Sequence, residues 1–507
     1  VRSTPGTEKL PINIVGSSTF GRYHKISSEK TYNMYESDDW LISYSGWKKV
    51  LQLFPSGVGR GVFHSIRGNF IIVVVNSSVF QIAPNLQPLL IGTLATASGE
   101  VFMDENLTNQ ICIVDGLNAY IYNWGYPPNL TIQTFNVDLI PSYVCYINGV
   151  FCFGNGSKVN VGALWYFYKQ QVTSPPNVSD PFNITKVGGL PLSTKPDYPL
   201  AVKRIPGQGN NILVLGSSVC EIFTQVSTAV YFRRNESINV DYGCLSANTI
   251  ASCDEYIAWL GVNESNAPVI MVYSQQGAQQ ISTDGISYLM SSLVHPDQSM
   301  ASFYRKDGHL FYQLTFFAPE DNLTLIYDFN LKAFYHLSDS NLNYHPAVDV
   351  VYFNQATYFI SLNNACLYQM SSDFTTYDEN ISPAADPALI GEIPRIRICK
   401  SQRYPDASQF IANSLYMMIE QGYDPGYVGL DQSNASLHYV PRVDLALSAD
   451  GGVTYGNYVS RYMQTEGQRQ NQMTWEKMGL YNDWTPKFRF IGMSHFCVNN
   501  CYLEAYQ

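Results

Sequence analysis

Three observations predict an all-β chain. The sequence is 14% aromatic and only 14% charged, with 37 Tyr and 26 Phe along its 507 residues. Globular chains usually carry ~25% charged residues, and aromatic and β-branched side chains suit a pleated, half-buried surface. Gly and Pro (36 and 26) recur over the whole length, as frequent tight turns require. No long Ala/Leu/Glu/Lys-rich stretch repeats at helical spacing.

Within that class the repeats predict the architecture. From about Arg60 to Phe374 a unit of roughly 40–48 residues recurs, each with three or four short apolar strands between turn residues. The first unit runs GVFHSI, NFIIVVV, SVFQIAP, LQPLLIGTL, and the sixth SMASFYR, HLFYQLTF, LTLIYDFN, AFYHLS. A period in this range with four strands per unit is the signature of a β-propeller, here of about seven blades. Long Pro-rich loops (SPPNVSDPFN, GLPLSTKPDYP) interrupt the third and fourth units. An irregular stack of β-sandwiches is the structural alternative.

Two regions fall outside the repeat. Residues 1–57 hold too few strands for a domain and read as an arm or propeller-closing segment before the propeller at 58–380. The Pro- and acid-rich stretch 381–394 reads as a linker. The long alternating strands of 395–507 then predict a compact antiparallel sandwich-like domain.

The net charge of −11, from 30 basic and 41 acidic residues, argues against a protein that grips nucleic acid by neutralising phosphates. It is compatible with a wall that DNA slides past. The N-terminal stretch VRSTPGTEKLPINIVG has no apolar leader-like region, and the longest apolar run, Phe70 to Val75, is strand-sized. Eleven Asn-x-Ser/Thr sequons, among them Asn76, Asn106, Asn183 and Asn322, read as an Asn- and Ser-rich loop population or as glycosylation sites.

In CYINGVFC the Asn148-Gly149 pair signals a type I′ hairpin. Counting outward sets Cys145 opposite Cys152 in a hydrogen-bonded pair, whose wide spacing suits a disulfide poorly, so both are expected as free thiols. SADGGVTYG, Ser448 to Gly456, has the form of the Asp-box of propeller glycan enzymes. It occurs once, and in the tail. Asp450 is expected to bond turn amides while Gly451 and Gly452 supply positive φ.

No catalytic constellation accompanies it. Fifteen Arg residues are scattered without the clustering a sialidase needs. His495, Cys497 and Cys501 lack the paired spacing of a structural zinc site, and Gly154 to Lys158 is too short to cradle a phosphate. His64 and His336, beside aromatics, read as core groups. The chain is expected to have no catalytic residues, cofactor or metal.

The order of features resembles the packaged-DNA stabilisation family of short-tailed, podovirus-type phages. KTYNMYES followed by LQLFPSGVGRGVF is similar to that family's opening, with Ser56 intervening between Pro55 and Gly57. NILVLGSSVCEIFTQV, then NAPVIMVYSQQGAQQIST and LTLIYDFN, follow in the family's order, as do DLALSADGGVTYG and TWEKMGLYNDWTPKFRF near the C-terminus. The resemblance implies a tail hub or nozzle located in the virion tail and assembled in the host cytoplasm. It implies a homo-oligomeric ring, a hexamer, beneath the portal adaptor ring. Tailspikes or fibres and a needle or plug would attach to it, and packaged DNA would pass its lumen without tight binding or membrane insertion. The competing class is a secreted propeller that binds or cleaves glycans.

Overall fold

The structure is a computed structural model and describes residues 7–21, 29–124, 129–133, 139–156, 163–170, 184–227, 231–380, 389–421, 441–464 and 472–506. It is almost entirely β. Consecutive antiparallel strands form a first meander at Gly59–Ser65, Phe70–Val75, Ser78–Ile82 and Pro88–Thr93. A second runs from Phe102–Glu105 to Asn129–Gln133, a third from Pro141–Ile147 to Ile184–Leu190, and a fourth from Pro199–Arg204 to Phe232–Val240. The fifth spans Gly243–Cys244 to Gly277–Gln280, and the sixth Ser299–Lys306 to Ala333–Leu337. The seventh begins at Ala347–Phe353 and ends at Cys366–Ser371. Its fourth strand comes from the N-terminal segment, Gly46–Gln52, antiparallel to Cys366–Ser371.

Burial on both faces explains the apolar runs. Phe70, Ile72 and Val74 pack with Ile111, Ile113 and Tyr122 of the second meander. The alternate residues Ile71, Val73 and Val75 pack with Val348, Phe353 and Ile360 of the seventh. Each side chain so buried contributes roughly 1.5–3 kcal/mol. Comparable clusters join every other successive pair of meanders, so the circle closes where the seventh meets the first. The Pro-rich insertion within the third meander and the sequon Asn183 lie outside the described residues.

The tail is a two-layered sandwich. One layer has Cys497–Tyr506 at its centre, with Phe410–Ile419 and Gln472–Tyr481 to one side. The other layer runs Arg395–Ile398, Thr485–Ile491, Arg442–Ser448, Val459–Tyr462. Between them lie Leu415, Met417, Trp475, Trp484, Phe488, Phe490 and Leu503.

The described residues among 1–57 contribute strands to three sheets. Besides the closing strand, Thr7–Ile12 and Trp40–Ser43 pair with Cys497–Tyr506. Lys30–Tyr32 pairs with Arg395–Ile398 and touches the sixth meander through the parallel bridge Tyr32–His336, making one continuous nine-stranded sheet. Within the stretch expected as a linker, Ile390–Glu392 is a strand paired with Thr376–Asp378. Residues 381–388 lie outside the described residues. The tail sandwich is therefore completed by N-terminal strands, which alternation alone cannot assign because their partners lie hundreds of residues away.

Arg397 fixes this junction. Its guanidinium is fully buried and donates to the carbonyls of Asn13 (2.7 Å), Ile14 (3.0 Å) and Ser17 (3.0 Å), to Thr31 Oγ1 (3.1 Å) and to the Glu29 carboxylate. A buried arginine needs such satisfaction, because its charge is costly in a low-dielectric interior.

Candidate functional site

Asn148 and Gly149 occupy the tip of a two-residue hairpin with φ of 40° and 88°, in a register that sets Cys145 opposite Cys152. Both thiols are buried and unbridged. Burial pushes the Cys145 thiol up to about 12 and that of Cys152 well above its ordinary range. At the second turn Asp450 accepts from the amides of Val453 (3.0 Å) and Thr454 (2.9 Å) and from the hydroxyls of Ser448 and Thr454 (2.6 Å each). Those bonds hold its carboxyl well below the usual range. Gly451 and Gly452 have φ of 77° and 89°. Ser448 Oγ in turn receives the Gly452 amide at 2.9 Å, so the motif is a self-satisfied loop.

Two of the stretches that carried the family resemblance, around Gly59–Gly61 and Ser217–Glu221, lie at seams between meanders. Gly59, Arg60 and Gly61 open the first meander. A Cβ on Gly59 would sit 2.4 Å from the Ser361 carbonyl, and one on Gly61 2.7 Å from that of Val101, so the neighbouring backbones approach too closely for any side chain. Arg60, only 1% exposed, donates to the carbonyls of Asn76, Thr96, Ser98 and Gly99 and so ties down the loop entering the second meander. In NILVLGSSVCEIF, Asp197 accepts the amides of Ser217 (2.9 Å), Ser218 (2.7 Å) and Val219 (3.0 Å). Glu221, fully buried, accepts those of Ser193 and Thr194 and pairs with Arg234 at 3.2 Å. These are scaffold roles.

The first strands of the meanders surround a small axial cavity of about 250 Å³. It is lined by His64, Glu100, Asp104, Lys203 and Asp349 among apolar and aromatic neighbours such as Tyr143 and Phe303. Burial raises the Asp349 carboxyl to about 7, against the Val350 amide and the Lys203 charge, which lower it. Burial and the charge of Asp349 raise Glu100 well above its ordinary value, and its Oε2 has no hydrogen-bond partner among the described residues. Burial would lower Lys203, but Tyr143, Asp104 and Cys145 outweigh it and raise the amine. Lys203 donates to Tyr143 Oη at 3.2 Å. His64 was expected as a core group, whereas Glu100, Asp104, Lys203 and Asp349 escaped sequence reasoning. Only at Asp349, a lone charge within the strand AVDVVYF, did the sequence carry a signal.

The structure does not gather His495, Cys497 and Cys501. A register shift in the final strand turns Cys501 into the sandwich core and leaves Cys497 on the other face. Among the described residues no three His, Cys, Asp or Glu side chains are placed to hold a metal ion. His336 is 2% exposed, stacks on Tyr32 and hydrogen-bonds Ser18 at 2.8 Å, while half-buried His64 lies edge-on to Phe353. Of Gly154 to Lys158, the last two residues lie outside the described residues.

Residues 30–375, about two thirds of the chain, match the sequence profile described as Bacteriophage P22 Gp10, beta-propeller, a phage-stabilisation family. This chain belongs to that family. It is a phage structural protein built on a β-propeller. No curated protein matches the sequence. Similar solved structures include a streptogramin B lyase (9% identity, TM-score 0.41, 65% of this chain and 97% of that one). Another is a catalytically inactive virginiamycin B lyase from Staphylococcus aureus with quinupristin (9%, TM-score 0.42, 64% and 99%). A third is the Neurospora crassa Pan2 WD40 domain (8%, TM-score 0.39, 62% and 89%).

Proposed function

We propose that this protein is a tail hub, or nozzle. Six copies form a closed ring below the portal and its adaptor, extend the DNA channel and retain the packaged genome. The ring also offers seats for a needle or plug and for tailspikes. The family match is the observation that carries the reading. Taking each meander as one blade gives a seven-bladed propeller.

Two physical features support this reading. The axial cavity holds only about 250 Å³, far too small for a duplex, so a channel for DNA would have to run between copies. A net charge of −11 per copy, multiplied around a ring, gives a wall that repels phosphates and lets the genome slide. Adhesion between copies then has to come from apolar contacts and locally complementary charge. Affinity for duplex DNA at ~0.15 M salt, where screening acts over ~8 Å, tests the wall. No submicromolar binding is expected, and such binding by the free protein would contradict a non-adhesive channel.

A further inference from the structure

The outer face of the sandwich layer that joins the propeller has a charge opposite to the chain's. Cross-strand pairing sets Lys30, Ile398, Lys487 and Ala446 in one row. Tyr32, Ile396, Arg489, Asp444 and Ser460 form the next, and Ile491, Arg442 and Tyr462 a third. Residues directly opposite each other share a face. Four cations therefore stand together on this face, and the one carboxylate in those rows, Asp444, is already held by Arg442 (3.1 Å) and Arg489 (2.9 Å).

Lys30 and Lys487 have no ion pair among the described residues. Burial, and then the Lys487 charge, lower the Lys30 amine. Lys487 and Arg489 lie over the rings of Tyr455 and Tyr458, just beyond the Asp450 turn. The groove between this face and the loop at Leu342 encloses about 660 Å³, with Ile396, Ile491 and Leu342 as an apolar floor and Glu392 at its rim. Glu392 is engaged by the Gly492 amide at 2.6 Å. A nucleic-acid backbone would leave that apolar floor unused. A protein segment that is both acidic and apolar matches both features.

The chain carries such a segment. Met34–Ser37 and Trp40–Ser43 form a hairpin whose turn residues are Asp38 and Asp39, with φ of 50° and 65°. A type I′ turn favours Asn-Gly, and two adjacent aspartates add strain and mutual repulsion. Both are exposed, Glu36 lies behind them, Trp40 flanks them, and none of the three acids has an ion pair among the described residues. The hairpin belongs to the opposite layer of the sandwich from the cationic face. Contact between two different patches on identical copies is head-to-tail, the kind that generates rings.

We infer that the acidic Asp38–Asp39 hairpin tip of one copy docks in the Lys487–Arg489 groove of the next. This rests on the ring reading above and names its interface. The test mixes light and nitrogen-15-labelled full-length protein at high concentration, cross-links carboxylates to amines with a carbodiimide, and maps the products by mass spectrometry. Mixed-isotope products joining Lys487 or Lys30 to Asp38, Asp39 or Glu36 are expected. Sedimentation velocity on Lys487→Glu, and separately on Asp38→Lys with Asp39→Lys, should show self-association weakened at least about tenfold. The combined variant should recover it. Mixed-isotope products at other surfaces only, with association indifferent to the charge reversals, would overturn the docking and leave the ring standing. No mixed-isotope product at any concentration would overturn both. In intact particles, cross-links from Lys487 to a different protein would overturn the assignment to a second copy.

Discussion

Replacing Arg397 with Met should unlatch the N-terminal segment from the sandwich without disturbing the far side of the propeller. Methionine fills much of the same space but donates nothing. Three carbonyls, of Asn13, Ile14 and Ser17, would lose their donor, and Glu29, only 8% exposed, would be left as an uncompensated buried charge. Breaking a buried pair by removing one partner typically costs about 3–5 kcal/mol. Since about 1.4 kcal/mol is a factor of ten, local opening should become roughly a hundred- to several-thousand-fold more frequent. Hydrogen exchange read by mass spectrometry is the suitable assay, because a chain of this size need not unfold in a single step. Peptides covering Ile12–Ser18 and Glu29–Asn33 should exchange faster by that factor, while those of the third and fourth meanders keep their rates. Adding Glu29→Gln should recover part of the loss by removing the stranded charge. Unchanged exchange at the junction, or a uniform increase over the whole molecule, would refute the assignment of Arg397 as the latch.

Four further outcomes are expected. Asp349 is raised to about 7, so the folded state holds its proton more tightly than the unfolded chain and stability falls as pH rises from about 4 to 7. Asp349→Asn should lessen that slope, to which Glu100 also contributes, and stabilise the protein at pH 8 by at most roughly 4 kcal/mol, and identical pH slopes in denaturant melts of the two proteins would contradict this. Burial, assisted at His336 by Lys30, lowers His336 and His345 to about 3 from 6.5, so their contribution runs the other way. The unfolded state binds the extra protons, stability drops as pH falls from 6.5 toward 3, and His336→Gln should lessen that drop in thermal melts across the window. Asp450→Ala should loosen the Ser448–Gly456 loop and lower the sandwich's melting temperature at pH 7. The difference should vanish as pH falls below the ordinary carboxylate range, because the wild-type advantage is lost once Asp450 itself is protonated. Cys145 and Cys152 should both be alkylated in denaturant without reductant, and recovery of a Cys145–Cys152 disulfide from native particles would overturn the register argument.

What the sequence made legible was whatever is local. The unbroken run Phe70–Val75 marks a strand buried on both faces, and its alternate residues do face two different neighbours. Asn148-Gly149 fixes its own hairpin register, and Asp450 organises a turn from residues within four positions of itself. Closure and domain completion were harder to read. Gly46–Gln52 finds its partner more than three hundred residues away, and Thr7–Ile12 lies beside the last strand of the chain. Nothing in the pattern of a short strand names a distant partner. The helix Asp284–Ser291 went unread because its sequence, DGISYLMS, is poor in strong helix formers. It is held instead by the Thr283 cap and the burial of Ile286 and Met290. The axial charges Asp104, Lys203 and Asp349, and the cationic rows around Lys487, become clusters only when strands from separate meanders or layers are brought together.

Whether this chain forms a closed ring around the DNA path can be seen by electron cryomicroscopy of the intact particle. Six copies are expected around one channel between the portal adaptor and the tail tip, with no DNA in the axis of any single propeller, whose cavity holds only about 250 Å³. One copy per particle, absence from the tail, or DNA density threading the axis of an individual propeller would contradict this arrangement.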